Sequence, residues 1–145
     1  MGKIDIKHAF RICPVAPEQW YLLCYQWLGQ FFTDTRLAFG SRSSPFIFNT
    51  FAIALAWIVI FCGGVRYLIH YLDDFFIASS TEEGCRNDLN IFLQICEDLG
   101  VPIAEDKIAG PTQVLTYLNI EIDTISMTAR LPREKYDQIW ALLQQ

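Results

Sequence analysis

The sequence has no pair of cysteines at the two-residue spacing of a metal knuckle. Its five cysteines (Cys13, Cys24, Cys62, Cys85 and Cys96) are odd in number and scattered, so neither a zinc site nor a disulfide framework is indicated. Dispersed, reduced core cysteines are the expected state, which implies an intracellular location, cytoplasmic or nuclear. No basic segment followed by an apolar one stands at the N-terminus, so no secretory leader is expected. Positive charge is also scarce. Eleven Lys and Arg face 16 Asp and Glu, for a net charge of −5 and a pI near 4.9. That argues against a pure nucleic-acid binder, whose phosphate contacts come mainly from clustered Lys and Arg. It leaves room for a catalytic core that gathers carboxylates around divalent metals. Repeats, low-complexity tracts and linker-like composition are absent too. What remains is 145 residues, 52% of them hydrophobic, enough for one domain with a sizeable core.

Charge is missing altogether from Ser43 to Val65, and Phe46 to Cys62 is almost wholly apolar. A run of roughly twenty such residues is enough to span a bilayer. Asn49 and Thr50 interrupt it, Pro45 stands where a first helical turn begins, and Gly63-Gly64 ends it early. A buried helix over Pro45 to Phe61 is therefore favoured over a membrane helix, and no membrane partner is expected.

Around that helix the pattern alternates strands and helices. Lys3 to Asp5 reads as the end of a strand. Trp20 to Trp27 and Gly29 to Thr33 read as a hairpin about Leu28-Gly29. Tyr67 to Ser79 is rich in aromatic and branched residues but broken by Asp73-Asp74, which reads as strand, tight turn, strand. Thr81 to Leu99 is an amphipathic helix, with Leu89, Phe92, Leu93 and Cys96 at helical spacing, Thr81 as N-cap and Gly100 after its end. Val114 to Ile125 reads as a strand pair or one long strand. Leu131 to Leu143, with Pro132 in its first turn, reads as a short terminal helix. Strands and helices without a strict alternation favour an α+β sandwich over a doubly wound sheet.

Adjacent acids in a turn are usually just solvated, so Asp73-Asp74 alone is weak. Its flanks change the balance. Apolar strands on either side would hold two like charges at a rigid turn, and a divalent cation is a natural offset, since Mg²⁺ takes oxygen ligands from one or two carboxylates plus substrate phosphates. Asp5 ends another apolar strand. If the sheet sets that strand beside the hairpin, Asp5 and Asp73 would bridge two metals about 3.5–4 Å apart, the arrangement that stabilises an in-line phosphoryl displacement.

These residues resemble a family. Tyr71-Leu72-Asp73-Asp74 resembles the YxDD signature of reverse transcriptases. Lys3-Ile4-Asp5-Ile6-Lys7-His8-Ala9-Phe10-Arg11 looks like their first palm motif, and Leu37 to Asn49, through Phe39-Gly40 and Ser44-Pro45, resembles the next. Gly100 to Lys107 is similar to the motif that presents a lysine, and Tyr117-Leu118-Asn119-Ile120 sits where the primer-grip hairpin is expected. The motifs occur in family order from Lys3 to about Ile125. Asp-Ile-Lys-x-Ala-Phe-Arg and Arg-Ser-Ser-Pro-x-Ile-Phe lie nearest to retrotransposon enzymes of the DIRS type.

The resemblance implies a ferredoxin-like palm, an antiparallel sheet with helices on one face, acting as an RNA-directed DNA polymerase. Asp5, Asp73 and Asp74 would be catalytic and, with Ile6, hold two Mg²⁺ ions, Mn²⁺ being possible. Lys107 would stand near the leaving pyrophosphate. Ile6, Lys7, His8, Ala9 and Phe10 would lie at the incoming nucleotide, Phe10 as the gate against a ribose 2′-hydroxyl, with Phe39 and Gly40 touching nucleotide and template. Tyr71, Leu72, Tyr117, Leu118 and Asn119 would meet the primer, Asn119 replacing the usual Gly. Partners would be an RNA/DNA primer–template, deoxynucleotides, and the fingers, thumb or RNase H regions of a longer polyprotein. The alternative implied is a catalytically inactive remnant that acts as a binding module.

Overall fold

The computed structural model describes residues 1–144. Strand β1 (Gly2–Asp5) is followed by two 3-10 segments, Ala9–Ile12 and Pro17–Leu23. A hairpin of β2 (Cys24–Trp27) and β3 (Gln30–Thr33) comes next. Helix α1 (Ser44–Phe61) leads into the hairpin of β4 (Tyr67–Tyr71) and β5 (Asp74–Ala78), and then to helix α2 (Glu82–Asp98). After a 3-10 turn at Glu105–Lys107, strands β6 (Val114–Tyr117), β7 (Ile120–Asp123) and β8 (Thr128–Arg130) form a meander that ends in helix α3 (Arg133–Leu143).

The central sheet has the order β1-β5-β4, all antiparallel. Along the free edge of β1 runs the segment 103–109, bridged antiparallel at Ile6–Ile103 and Lys3–Ala109. With that edge included, the chain reads strand-helix-strand-strand-helix-strand, and its last strand lies beside its first. This is the ferredoxin-like arrangement, so the α+β palm expectation is met. The fourth strand is interrupted. Between the two bridges the outer segment has more residues than β1, and the excess is lifted out as the Glu105–Lys107 turn.

Period-two alternation decides the faces. Phe75 and Ile77 of β5, Ile4 of β1 and Leu68 of β4 point inward, where they meet Phe48, Ala52, Leu55 and Val59 of α1. Cys85, Leu89, Phe92 and Cys96 of α2 complete the core. Phe48, Phe75 and Phe92 are fully buried, each contributing about 2–3 kcal/mol of transfer free energy. A Cβ at Gly2 would stand 2.8 Å from both methyls of Leu89, so a larger residue there would force Leu89 to shift. The opposite face of the sheet carries Lys3, Asp5, Asp74, Phe76, Ile69 and Tyr71, by register.

Thr81 caps α2 as expected, accepting from the Gly84 amide at 3.0 Å. Gly100, with φ +68, turns the chain after α2. α1 buries Phe48, Ala52, Leu55 and Val59 while Phe46, Ile53, Trp57 and Phe61 stay exposed, so both its faces are apolar. By length and composition alone it is long and apolar enough to cross a membrane.

Several expectations need correction. Trp20 to Leu23 are not strand but the end of the 3-10 segment Pro17–Leu23; Pro17 sets its first turn, and the Trp20 indole donates to the Val15 carbonyl at 2.8 Å. The turn of the β4–β5 hairpin is Leu72-Asp73, and Asp74 is already the first residue of β5. Pro132 stands one residue before α3, its ψ of 139° being extended rather than helical. Of the cysteines, which are all free, only Cys85 and Cys96 are core residues; Cys24 and Cys62 are exposed. Burial pushes the Cys96 thiol up to about 12. Val114 to Ile125 is the strand pair, with β8 as an additional strand that its short, exposed sequence did not reveal.

Candidate active site

The pairing of β1 with β5 places Asp5 directly opposite Asp74. The Ile6 amide donates to the Asp73 carbonyl at 3.0 Å, so the end of β1 is stitched to the Leu72-Asp73 turn. Leu72 has φ +52 while Asp73 does not share that left-handed region, the φ pattern of a type II′ hairpin turn. A leucine held there is strained by roughly 1–2 kcal/mol. It is retained because its side chain packs against the core, which holds the turn from beneath. Three carboxylates thus converge at one edge of the open face.

Their electrostatics follow from this crowding. Burial raises the Asp73 carboxyl above the ordinary range, and the charge of Asp5 adds to it. Burial also raises Asp74, with further contributions from Asp73 and Asp5. Lys107 offsets part of this repulsion. Its Nζ donates to both Oδ1 and Oδ2 of Asp5 at 3.0 Å, and that hydrogen bond holds the ammonium above its usual range. The 3-10 turn is what delivers Lys107, because it lifts the interrupted outer strand over Asp5. Lys3, Asp5, Asp74, Asp106 and Lys107 line a cleft of about 350 Å³.

Among the described residues, no group of three or more His, Cys, Asp or Glu is arranged ready to hold a metal ion. The donor chemistry nevertheless fits a hard divalent cation: all candidate ligands are oxygens, and two of the carboxylates are destabilised as anions by burial and by one another.

A family model described as reverse transcriptase (RNA-dependent DNA polymerase) matches residues 2–122. The chain belongs to the reverse transcriptase family. It is 29% identical over 127 residues to the Gag-Pol polyprotein of avian reticuloendotheliosis virus, covering 82% of this chain and 11% of that protein. It is 24% identical over 119 residues to the Pro-Pol polyprotein of feline foamy virus, covering 82% and 10%. The chain therefore spans about a tenth of the length of the curated relatives it matches. In structure it resembles a foamy viral protease-reverse transcriptase solved with double-stranded DNA, at a TM-score of 0.84 and 22% identity over 96% of this chain and 23% of that one. A structure of the foamy viral enzyme with an RNA/DNA hybrid matches with a TM-score of 0.83 at 22% identity, over 96% and 18% of the two chains. The fold of the reverse transcriptase palm is thereby shared.

The remaining expected site residues of this reverse transcriptase chain fall into two further groups. In the first, Lys7 and His8 are exposed while Ala9 is buried, and His8 and Ala9 take positive φ (64° and 29°). Phe10 packs against the core, with ring centroids 5.1 Å from Phe39 and 5.6 Å from Phe48. Phe39 is 70% exposed. Gly40 has φ +86 with open space where a Cβ would stand, so within this chain its backbone conformation, not close approach, calls for glycine. In the second group, Tyr71 is exposed opposite Asp74, but Tyr117 is buried. The Tyr117 hydroxyl donates to the Asp74 carbonyl at 3.0 Å, and its ring packs on Phe76. Tyr117 thus ties β6 to the carboxylate strand on the open face. Leu118 and Asn119 form the β6–β7 turn, both with positive φ. Sequence reasoning passed over two charged residues that line the cleft. Lys3 bonds the Thr116 carbonyl at 3.0 Å and lies two positions before Asp5, on the same strand face. Asp106 adjoins Lys107.

Proposed function

We propose that this chain is the catalytic palm of an RNA-directed DNA polymerase, transferring a nucleotidyl group from a deoxynucleoside triphosphate to a primer 3′ end. The observation that carries this reading is the register of Asp5 against Asp74, with Asp73 in the adjoining turn. Asp5, Asp73 and Asp74, with Ile6 beside them, would hold two Mg²⁺ ions, or Mn²⁺. When bound, such ions stabilise the attacking and leaving oxygens of an in-line displacement.

The chain's own residues supply positioning and proton control. Asp5 is held by strand pairing on both sides, so its carboxylate is preorganised. Lys107, protonated, would face the leaving pyrophosphate and donate a proton or offset its charge. The Phe10 ring, backed by Phe39 and Phe48, would leave no volume for a 2′-hydroxyl and so favour deoxynucleotides. Lys7, His8 and Ala9 would lie along the triphosphate, with Gly40 beside Phe39 at nucleotide and template. Tyr71, Leu72, Tyr117 and the Leu118-Asn119 turn would meet the primer, Leu72 also packing on the core and Tyr117 also holding the Asp74 carbonyl. The neighbours solved with double-stranded DNA and with an RNA/DNA hybrid support a primer–template duplex as partner. The much longer polyprotein relatives support further domains acting with this one. Within the family, the Asp5 to Arg11 and Arg42 to Phe48 motifs support a DIRS-type retrotransposon origin.

The test is primer extension on an RNA template with deoxynucleotides and Mg²⁺, comparing the chain with its Asp73→Asn variant. The variant should lose about a thousandfold or more in rate, the scale of removing one preorganised electrostatic group; undiminished extension would sink the reading. A second reading, an inactive remnant serving as a binding module, is favoured by the lysine that holds both oxygens of Asp5. Extension by neither protein, together with no divalent-metal affinity, would support it.

A further inference from the structure

We propose that Lys107 is an internal counterion that closes Asp5 until a divalent cation evicts it, so that metal entry frees the lysine for the leaving group. This rests on the reading of Asp5, Asp73 and Asp74 as metal ligands. The Lys107 ammonium stands 3.0 Å from each carboxylate oxygen of Asp5, and a cation shared with Asp73 or Asp74 needs at least one of those oxygens. The Asp5 backbone cannot move away to make room. It pairs with Asp74 on one side, and its carbonyl accepts from the Ala104 amide at 3.0 Å on the other. Lys107 is the movable partner. It sits at the end of a three-residue turn, and its side chain is 57% exposed on a long flexible stem.

The exchange also has a direction. A monovalent ammonium satisfies Asp5 alone, whereas a divalent cation can take two or three carboxylates and relieve the mutual repulsion of Asp73, Asp74 and Asp5. The evicted ammonium need not leave the cleft, because Asp106 lines the same space and offers it a second carboxylate. Lys107 therefore marks the state of the site: paired with Asp5 before metal, free within the cleft after it.

The experiment measures Mn²⁺ affinity of the full chain by titration calorimetry for the parent, Lys107→Gln, Lys107→Arg and Asp73→Asn. In parallel, acetylation of Lys107 by an amine-reactive ester is followed by mass spectrometry with and without Mg²⁺. Lys107→Gln should bind Mn²⁺ about fivefold more tightly than the parent, the scale of a partly solvated ion pair. Lys107→Arg, which keeps a cation there, should not gain affinity, and Mg²⁺ should raise the labelling of Lys107 several-fold. Equal affinity in the parent and Lys107→Gln, with Asp73→Asn still weakened, would overturn the latch and leave the metal site intact. Absence of Mn²⁺ binding in every variant would overturn the latch together with the metal reading beneath it.

Discussion

Two of the molecule's hairpins look alike locally and differ in everything that surrounds them. β2–β3 and β4–β5 are both antiparallel, rich in aromatics, and closed by two-residue turns whose first residue is a leucine in the left-handed region (Leu28 φ +49, Leu72 φ +52). Every residue of β2 and β3 is exposed, and their internal support includes a stacked Tyr25–Phe32 pair at 5.6 Å. β4–β5 instead takes β1 as a third strand, has α1 and α2 packed on one face, and keeps Phe75 and Ile77 fully buried. The comparison teaches that a turn becomes a site through its neighbours. Asp73-Asp74 acquires chemistry because β1 brings Asp5 alongside and because the interrupted outer strand brings Lys107.

The largest test of that difference is core truncation. Phe75→Ala in β5 should cost about 3–5 kcal/mol, whereas Phe31→Ala in β3, 79% exposed, should change stability by less than about 0.5 kcal/mol. Urea unfolding of the two variants measures both; equal losses would erase the distinction drawn between the hairpins. Next comes the strain in the two turns. Leu28→Asn should stabilise by about 0.5–1 kcal/mol, since Asn suits the first position of a type I′ turn and Leu28 is 87% exposed. Leu72→Gly gains similar relief but loses its core contact, and should destabilise by about 1 kcal/mol in the same assay. Of similar size is the brace on the carboxylate strand: Tyr117→Phe removes the bond to the Asp74 carbonyl and should cost about 1 kcal/mol, with a larger effect on primer extension than on the melting temperature.

The smallest effect is in pH. Asp73 and Asp74 bind protons more tightly folded than unfolded, burial being the leading cause. Stability in metal-free buffer should therefore fall as pH rises above the ordinary carboxylate value of about 3.9. Asp74→Asn should flatten that fall, while a β2–β3 variant such as Phe31→Ala should leave it unchanged. Thermal unfolding across the acid-to-neutral range reads it directly.

Much of this arrangement was legible beforehand because it is written in local pattern. The period-two run around Asp73-Asp74, the Thr81 cap and the helical spacing of Leu89, Phe92 and Cys96 each point to one structure by themselves. Asp5 and Lys107 were legible as residues but not as a contact, since their pairing depends on two bridges and an interruption in an edge segment that has no strand pattern of its own. Tyr117 was legible as a residue of the primer-grip motif, but its bond to the Asp74 carbonyl was not, because motif order gives position along the chain and not which way a hydroxyl points. Trp20 to Leu23 were misread because aromatic content resembles strand wherever Pro17 is overlooked. β8 was invisible: three exposed residues carry no alternation to detect.

The Glu105–Lys107 turn has one more consequence, for association between molecules. The outer border of a sheet is a template for an incoming strand, and chains that leave one straight and apolar invite fibrous pairing. Here the border beside β1 departs from the sheet plane midway and bears the carboxylates of Glu105 and Asp106, so a foreign strand meets a step and two negative charges after the first few bonds. The same interruption that delivers a lysine to the carboxylates blunts that side of the sheet against self-assembly.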